Sequence, residues 1–209
     1  MKQAVIIKMK KSKNGSWLKY FFAGILFVLP LLGTILFINK TYPVLSQLLQ
    51  LFTGWLTWTY GEYLWHRFKT HAKNEQPGKV YQRHMYHHQH PAQLKIQLPH
   101  RVFMMIGMIV FGIISIRLNN YFTLFTGFYT GFVWFCYMHV VLHRRWSMKI
   151  FPRLFRYHVQ HHCKHPDKCF GVSVPWWDDV FGTAPSGSYR IPARIIDFYF
   201  DEKDHQHAH

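Results

Sequence analysis

Histidine is the residue type whose number and spacing in this sequence point most directly to chemistry. The chain has 16 histidines among 209 residues, and ten of them fall into four short motifs. In chain order these motifs read HxxxxH, HxxHH, HxxxH and HxxHH. The ten residues are His66 and His71, then His84, His87 and His88, then His139 and His143, and finally His158, His161 and His162.

The spacing within each motif indicates where the imidazoles point. Residues three or four positions apart share one face of an α-helix, so each HxxHH motif predicts a helix with its imidazoles on one side. The HxxxH pair is one helical turn apart. His66 and His71 are five positions apart, which separates their directions on an α-helix and would send each to a different metal ion.

Ten imidazoles are too many for one ion, which rarely takes more than about four to six ligands. Two ions with about five imidazoles each fit the number. Imidazole suits zinc, copper, iron and nickel, so the ligand type alone does not choose the metal. A neutral all-histidine shell leaves the metal charge uncompensated until an oxygen species binds. We therefore interpret the site as a redox pair, with closed structural zinc as the alternative.

Apolar segments must position these motifs, and the sequence contains four of them. Residues 20–39 carry no charge and are long enough to cross a bilayer, although a cleaved signal peptide is the competing interpretation. Residues 43–65 and 121–138 predict two further helices. The run at 102–116 is short for a span and predicts a re-entrant or bilayer-thinning helix. The expected fold is all-α, with about four transmembrane helices in a single domain over residues 1–209.

The charges are distributed as expected for a membrane protein. The chain has 25 Lys and Arg against 9 Asp and Glu, and a formal charge of +16. Six of the basic residues precede residue 20, seven lie in 67–101, ten follow residue 143, and two lie at the opposite turns. By the positive-inside rule, both termini and both histidine regions are predicted to be cytoplasmic. This topology accounts for the charge without nucleic acid as a partner.

Several side chains near the motifs are candidates for supporting roles. Glu62, Asp178 and Asp179 are predicted to accept hydrogen bonds from ligand histidines, with a turn or helix cap as the alternative for the two aspartates. His90, His100 and His165 flank the motifs. We expect surface or supporting roles for these three histidines rather than metal ligation.

The motifs resemble those of the fatty acid hydroxylase and sterol desaturase superfamily of membrane enzymes, and most of all those of fatty acid 2-hydroxylases. The resemblance covers residues 55–183 and includes GEYLWHRF, HHQHPAQ and GVSVPWWDDVFGT. The sequence departs from the 2-hydroxylase pattern just before the third motif. Fatty acid 2-hydroxylases tend to have Tyr-Asp there, whereas this chain has Phe135 and Cys136.

This resemblance implies a cytosolic histidine-rich helical cap above four transmembrane helices. It implies two iron ions, with zinc possible in their place, together with dioxygen and electrons from a separate cytochrome b5-like or ferredoxin-like protein. It assigns His66, His84, His87, His158 and His161 to one metal, and His71, His88, His139, His143 and His162 to the other.

The function predicted from these observations is hydroxylation of a membrane lipid acyl chain of fatty acid or sphingolipid type. A sterol or carotenoid desaturase or hydroxylase of the same superfamily is the near alternative. A non-redox membrane zinc protein is the alternative from another class. Such a protein would hold zinc tightly and would need neither oxygen nor a reductant.

Overall fold

The computed structural model describes residues 43–71, 78–118, 121–185 and 191–201. All regular secondary structure in these ranges is helical, as the sequence predicts. The first predicted span, residues 20–39, lies outside the described residues. The elements are α1 (Pro43–Trp65), a π-helical turn (His66–Thr70), α2 (Lys79–Gln89), a 3-10 turn (Pro91–Gln93), α3 (Leu98–Leu118), α4 (Tyr121–Leu142), α5 (Ser147–Ile150), α6 (Pro152–Cys163), α7 (Trp176–Phe181) and α8 (Ala193–Phe200).

Helices α1 and α4 lie side by side, and glycines let their backbones come close. A Cβ atom on Gly54 would lie 2.0 Å from a backbone oxygen of α4, and one on Gly127 would lie 2.1 Å from the carbonyl oxygen of Leu51. Only glycine fits such contacts, which membrane helices use for close packing. Further along both helices, Gly131 faces Trp58. The contacts advance together, so α1 and α4 run parallel and end on the same side.

Helices α3 and α4 are both long and apolar enough to cross a membrane, judged by length and composition. They run antiparallel, since Thr126 donates a hydrogen bond to the carbonyl oxygen of Phe111 at 3.1 Å and Tyr129 reaches that of Met104 at 3.5 Å. The prediction of a short third helix is wrong, because α3 has 21 residues. It continues through Arg101 and Arg117, whose long side chains can extend towards water from the helix ends.

Two clusters of buried apolar side chains attach the histidine-bearing segments to the ends of α1 and α4. We call residues 66–71, 78–93, 143–185 and 191–201 the cap. The first cluster contains Met138 and Leu142 of α4 with Leu154, Phe155, Val159, Val172 and Tyr199 of the cap. The second contains Tyr63 of α1 with Phe170, Val174, Trp177 and Phe181. These two clusters therefore hold the cap at the end of α1, next to the first motif, and at the end of α4, which carries the third motif.

Candidate metal centre

The ten histidines of the four motifs come together at the ends of α1 and α4. They form two groups of five, and within each group one ring nitrogen from every residue lies within 4.8 Å of the others. The first group consists of His66, His71, His84, His88 and His161. The second group consists of His87, His139, His143, His158 and His162. Neither group includes His90, His100 or His165.

A local change of helix type brings the two histidines of the first motif together. Residues His66–Thr70 are π-helical, and a π-helix bonds each residue to the fifth one along. Residues five apart then point in similar directions, which they do not do on an α-helix. The rings of His66 and His71 lie 5.2 Å apart between centroids and belong to the same group. The expectation that they serve different ions is wrong for this reason.

The two HxxHH motifs divide between the groups in a way that the resemblance did not predict. In each motif the first and last histidines, four positions apart, go to one group, and the middle histidine goes to the other. On α2, His84 and His88 join the first group while His87 joins the second. On α6, the pair belongs to the second group and His161 to the first. Helical geometry explains the pairing, because residues four apart differ in direction by less than residues three apart.

The Nε2 atoms of the first group lie at separations expected for nitrogens around one ion. His84 Nε2 is 3.1 Å from His66 Nε2 and 2.8 Å from His71 Nε2. It is 2.9 Å from His88 Nε2, and His161 Nε2 is 3.0 Å from His71 Nε2. Metal–imidazole bonds of about 2.0–2.1 Å at right angles put two nitrogens about 3.0 Å apart. The donor atoms of the first group therefore fit a metal ion.

The Nε2 atoms of the second group lie at similar separations, and in the described part of the chain this group also contains buried ring nitrogens without a hydrogen-bond partner. His87 Nε2 lies 3.0 Å from His139 Nε2, and His158 Nε2 lies 3.0 Å from His143 Nε2. Both ring nitrogens of His162 are buried and lack a hydrogen-bond partner within the described ranges. A buried polar atom without a partner calls for an explanation, and a metal ion at Nε2 would provide one. The second group is thus also suited to hold an ion.

Backbone carbonyls orient two rings of the first group. His66 Nδ1 lies 2.6 Å from the carbonyl oxygen of Phe170, and His161 Nδ1 lies 2.7 Å from that of Lys168. A carbonyl oxygen only accepts, so Nδ1 carries the proton and donates it. This tautomer leaves the lone pair on Nε2, which faces the other rings. The loop from Lys168 to Val174 therefore determines how the two imidazoles present their donor atoms.

Buried carboxylates hold this loop instead of contacting the histidines. Glu62 accepts hydrogen bonds from the backbone nitrogens of Val172 and Ser173 at 2.8 and 2.9 Å, and from the Ser173 hydroxyl. Asp178 accepts from the nitrogens of Phe170 and Gly171 at 2.8 and 2.9 Å. The prediction that these acids accept from ligand histidines is wrong. A backbone loop lies between the acids and the rings and transmits their effect.

Asp179 and Gly171 differ in their relation to the loop, since Asp179 pairs with Arg153 and Gly171 lies within the loop. Asp179 is partly exposed and pairs with Arg153 at 2.5 Å, and it lies in the first turn of α7, which agrees with the alternative of a turn or helix-cap position better than with a contact to a ligand histidine. A Cβ atom on Gly171 would lie 2.2 Å from the carbonyl oxygen of Val174. Glycine is therefore required there for the loop to fold tightly over the imidazoles.

Burial lowers the pKa of imidazoles in both groups. Desolvation, the largest cause, brings the pKa of His66 and His88 to about 4 and that of His87 to about 3. For His158 and His161, desolvation and then neighbouring imidazoles hold the pKa well below its usual value. These rings are neutral at pH 7, and neutral imidazole is the form that binds metal.

Tyr199 of α8 is a part of the site that the sequence analysis missed. Its ring is fully buried and stacks on His143 with centroids 4.8 Å apart. Its hydroxyl donates to the carbonyl oxygen of Leu142 at 3.2 Å and lies 3.5 Å from His143 Nε2. The apolar pattern of residues 193–200 predicts a packed helix, but nothing in it indicates contact with a histidine.

An apolar cavity of about 580 Å³ lies between α1 and α4 and reaches both groups. This volume is typical of small-ligand sites. Its apolar wall includes Trp58, Phe128, Phe132 and Phe135, and the imidazoles on its lining are His66, His84 and His139. Phe135 lies 5.7 Å from His139 between ring centroids, which joins the apolar wall to the second group. A hydrocarbon chain in this cavity would lie against both groups.

The fold and the site define a helical protein with two five-imidazole groups at the end of an apolar cavity. A sequence model of the fatty acid hydroxylase family matches residues 51–183, a range that contains all ten histidines. The match covers more than half of the chain, and the chain belongs to this family. The resemblance inferred from the motifs is thereby confirmed.

Curated relatives carry hydroxylase names. A dihydroceramide fatty acyl 2-hydroxylase of Arabidopsis thaliana is 33% identical over 141 residues, which are 64% of this chain and 59% of that protein. A ceramide very long chain fatty acid hydroxylase of Schizosaccharomyces pombe is 30% identical over 140 residues, 62% of this chain and 40% of that protein. The chain thus spans less than two thirds of these relatives. A solved structure of scs7p, with only its hydroxylase domain visible, has a TM-score of 0.44 and 22% identity over 83% of this chain and 68% of that one.

Proposed function

We propose that this chain is a hydroxylase that uses two iron ions and dioxygen to oxidise an acyl chain of a membrane lipid. The observation that carries the proposal is that two five-imidazole groups adjoin one apolar cavity. The names of the relatives, which specify ceramide, dihydroceramide and fatty acyl chains, favour a sphingolipid-type acyl chain over a sterol or carotenoid.

Each group would hold one ion through its Nε2 atoms. His66, His71, His84, His88 and His161 would hold the first, and His87, His139, His143, His158 and His162 the second. Zinc also binds to imidazole sites of this kind, so the identity of the native metal as iron is itself a proposal. Bound iron would supply oxygen activation and C–H oxidation, chemistry that no amino-acid side chain provides.

The residues of the chain itself position the lipid and the rings. The aromatic wall of the cavity binds the hydrocarbon and keeps water away from the imidazole groups. Water at that end would lead to side reactions in place of oxidation of the lipid. The loop carbonyls of Phe170 and Lys168 keep the Nδ1 protons of His66 and His161 in place. These contacts keep two donor nitrogens of the first group aimed at a common point before any substrate arrives.

The reaction also needs electrons, which we propose come from a separate cytochrome b5-like or ferredoxin-like protein. The basic residues of the cap lie in the segments predicted to be cytoplasmic, and a multi-pass protein with both termini and the active site on that side fits their distribution. An electron donor from the cytoplasm would then reach the imidazole groups without crossing the bilayer.

Lipid mass spectrometry of cells that express the chain tests this function. The wild-type chain is expected to add one oxygen atom to acyl chains of sphingolipids or fatty acids. A His161→Ala variant should abolish this product, because the first group loses a donor. A His100→Ala variant is the matched control, since that histidine is exposed and belongs to neither group.

The outcome also separates the alternatives. Oxygen added to sterols or carotenoids and not to acyl chains would replace the substrate class. An unchanged lipidome, together with tightly held zinc and no requirement for oxygen, would overturn the proposal in favour of a non-redox zinc protein.

A further inference from the structure

The glycines of α1 and α4 have different reasons to be glycine. Gly54, Gly127 and Gly131 face a neighbouring helix so closely that a Cβ atom would lie 2.0, 2.1 and 2.6 Å from its nearest atom. Gly61 is different, because a Cβ atom there would meet no atom of the described residues within 4 Å. Glycine inside a helix is unfavourable relative to alanine, and packing among these residues does not explain a glycine at this position.

The open space beside Gly61 belongs to the apolar cavity. Gly61 lines that cavity together with Trp58, three residues before it, and Trp65, four residues after it. These three positions share one face of α1. Gly61 and Trp65 are exposed, whereas Trp58 is half-buried. The cavity therefore opens at the surface beside Gly61 and Trp65, within the five residues that precede His66.

The position of this mouth indicates which part of a lipid enters. Along α4 the cavity extends from His139 to Phe128, which is about 16 Å at 1.5 Å per residue. Two polar side chains near the mouth are already engaged: Glu62 accepts three hydrogen bonds from the loop, and the Thr70 hydroxyl donates to the His66 carbonyl. The Trp58 indole nitrogen is buried without a partner among the described residues, but one donor does not satisfy a whole lipid headgroup. Burying a headgroup there with most of its polar atoms unpaired would be unfavourable, so the interior is suited to hydrocarbon.

We propose that Gly61 is a specificity-determining residue at the mouth of the cavity. The absence of a side chain admits a straight hydrocarbon chain past the imidazoles, while the headgroup and any second chain of the lipid stay outside. The tail then points towards Phe128, and the carbons nearest the headgroup lie beside His66 and His139. This inference rests on the proposed function for the identity of the ligand, an acyl lipid.

Binding of trans-parinaric acid, a straight fluorescent 18-carbon acid, tests the role of the mouth without catalysis. In the full chain reconstituted in nanodiscs, Gly61→Leu is expected to weaken binding at least tenfold, because its side chain would fill the mouth. Gly61→Ala should weaken binding less. Gly112→Leu is the matched control, since a Cβ atom at Gly112 of α3 also meets no atom of the described residues within 4 Å and that residue does not line the cavity.

Hydroxylation of a two-chain dihydroceramide and of single-chain stearic acid tests specificity. Gly61→Leu should lower kcat/KM for dihydroceramide more than for stearic acid, because the headgroup and second chain that stay outside would have to pack against the Leu side chain at the mouth. Two metal ions should still be bound per chain. Wild-type binding by Gly61→Leu, equal losses for both lipids, or an equal loss in Gly112→Leu would overturn the inference. If Gly61→Leu weakens binding but the wild-type chain oxidises no lipid, the proposed function fails while the role of Gly61 stands.

Discussion

The two imidazole groups are alike in composition but differ in what holds their rings. In the first group, His66 and His161 donate from Nδ1 to carbonyl oxygens of the loop above them. In the second, the Nδ1 atoms of His143, His158 and His162 are buried and have no hydrogen-bond partner among the described residues. Packing holds these rings, as in the stacking of Tyr199 on His143 at 4.8 Å.

Both groups draw histidines from α2 and α6, but this difference means that a separate part of the cap orients the rings of each group. The first group depends on Asp178 and Glu62, which fix the loop through its backbone nitrogens. The second depends on α8, which supplies Tyr199. Hydrogen bonds set ring direction closely, whereas packing sets position and leaves the second nitrogen unused. Variants can therefore be aimed at one group while the other serves as an internal control.

Removing one imidazole from each group is expected to have the largest effect. We expect His84→Ala and His158→Ala each to lose one of two bound metal ions per chain and to abolish hydroxylation, because oxidation requires both ions. Elemental analysis of the purified variants, together with product formation, measures this. A variant that retained two ions per chain and resisted a chelator as well as the wild-type chain would show that the altered imidazole is not a ligand.

Acidification should release metal from both groups. Protons compete with metal for imidazole, and desolvation brings the pKa of His66 and His88 in the first group to about 4 and that of His87 in the second to about 3. Metal is therefore kept at pH 7 and lost as the pH falls. Metal content measured from pH 7 to pH 3 should fall from two ions per chain. His84→Ala, which keeps only the second group intact, should begin with one ion per chain and lose it on acidification, and metal content that did not fall by pH 3 would contradict the competition by protons.

The same pKa shifts predict how the stability of the metal-free protein depends on pH. Between the usual histidine pKa of 6.5 and the value of about 4 for His66, the unfolded chain binds more protons than the folded chain. The free energy of unfolding should therefore decrease as the pH falls through this window. Denaturant unfolding of chelator-treated protein at several pH values measures this decrease.

Loosening the loop should weaken the first group selectively. Asp178→Ala leaves the nitrogens of Phe170 and Gly171 and the Thr183 hydroxyl without their acceptor, which should cost about 1–3 kcal/mol of stability. Metal affinity of the first group should fall about 10- to 100-fold. Asp179→Ala is the neighbouring control, since its partly exposed ion pair with Arg153 is worth about 0–1 kcal/mol. Chelator competition measures both, and an equal loss from the second group would contradict the separation.

Removing the hydroxyl of Tyr199 should have the smallest effect. Tyr199→Phe loses the hydrogen bond to the Leu142 carbonyl, worth about 1 kcal/mol, but keeps the ring stacked on His143. Metal affinity of the second group should fall less than tenfold, and that of the first group should not change. Tyr157→Phe, which removes a partly exposed hydroxyl bonded to Asp179, is the control. A larger loss from the first group would mean that α8 does not act on the second group alone.

Much of the site could be predicted from local patterns. The repeat of HxxHH and the number of histidines predict two groups of about five imidazoles, because helical spacing and metal coordination limit the choices. The apolar runs predict helices, and the described part of the chain is helical throughout its regular structure. Both arguments use only residues within a few turns of one another, where the sequence carries the information.

Residue types and their spacing were enough to predict the family, the helical class and the set of ten histidines that come together. The tertiary structure decided how they divide, because a π-helical turn places His71 with His66 and because each HxxHH helix lies between the groups. It also decided that Glu62 binds a loop 110 residues away and that Tyr199 covers His143. Contacts between distant residues depend on the packing of whole helices, and no local spacing encodes them.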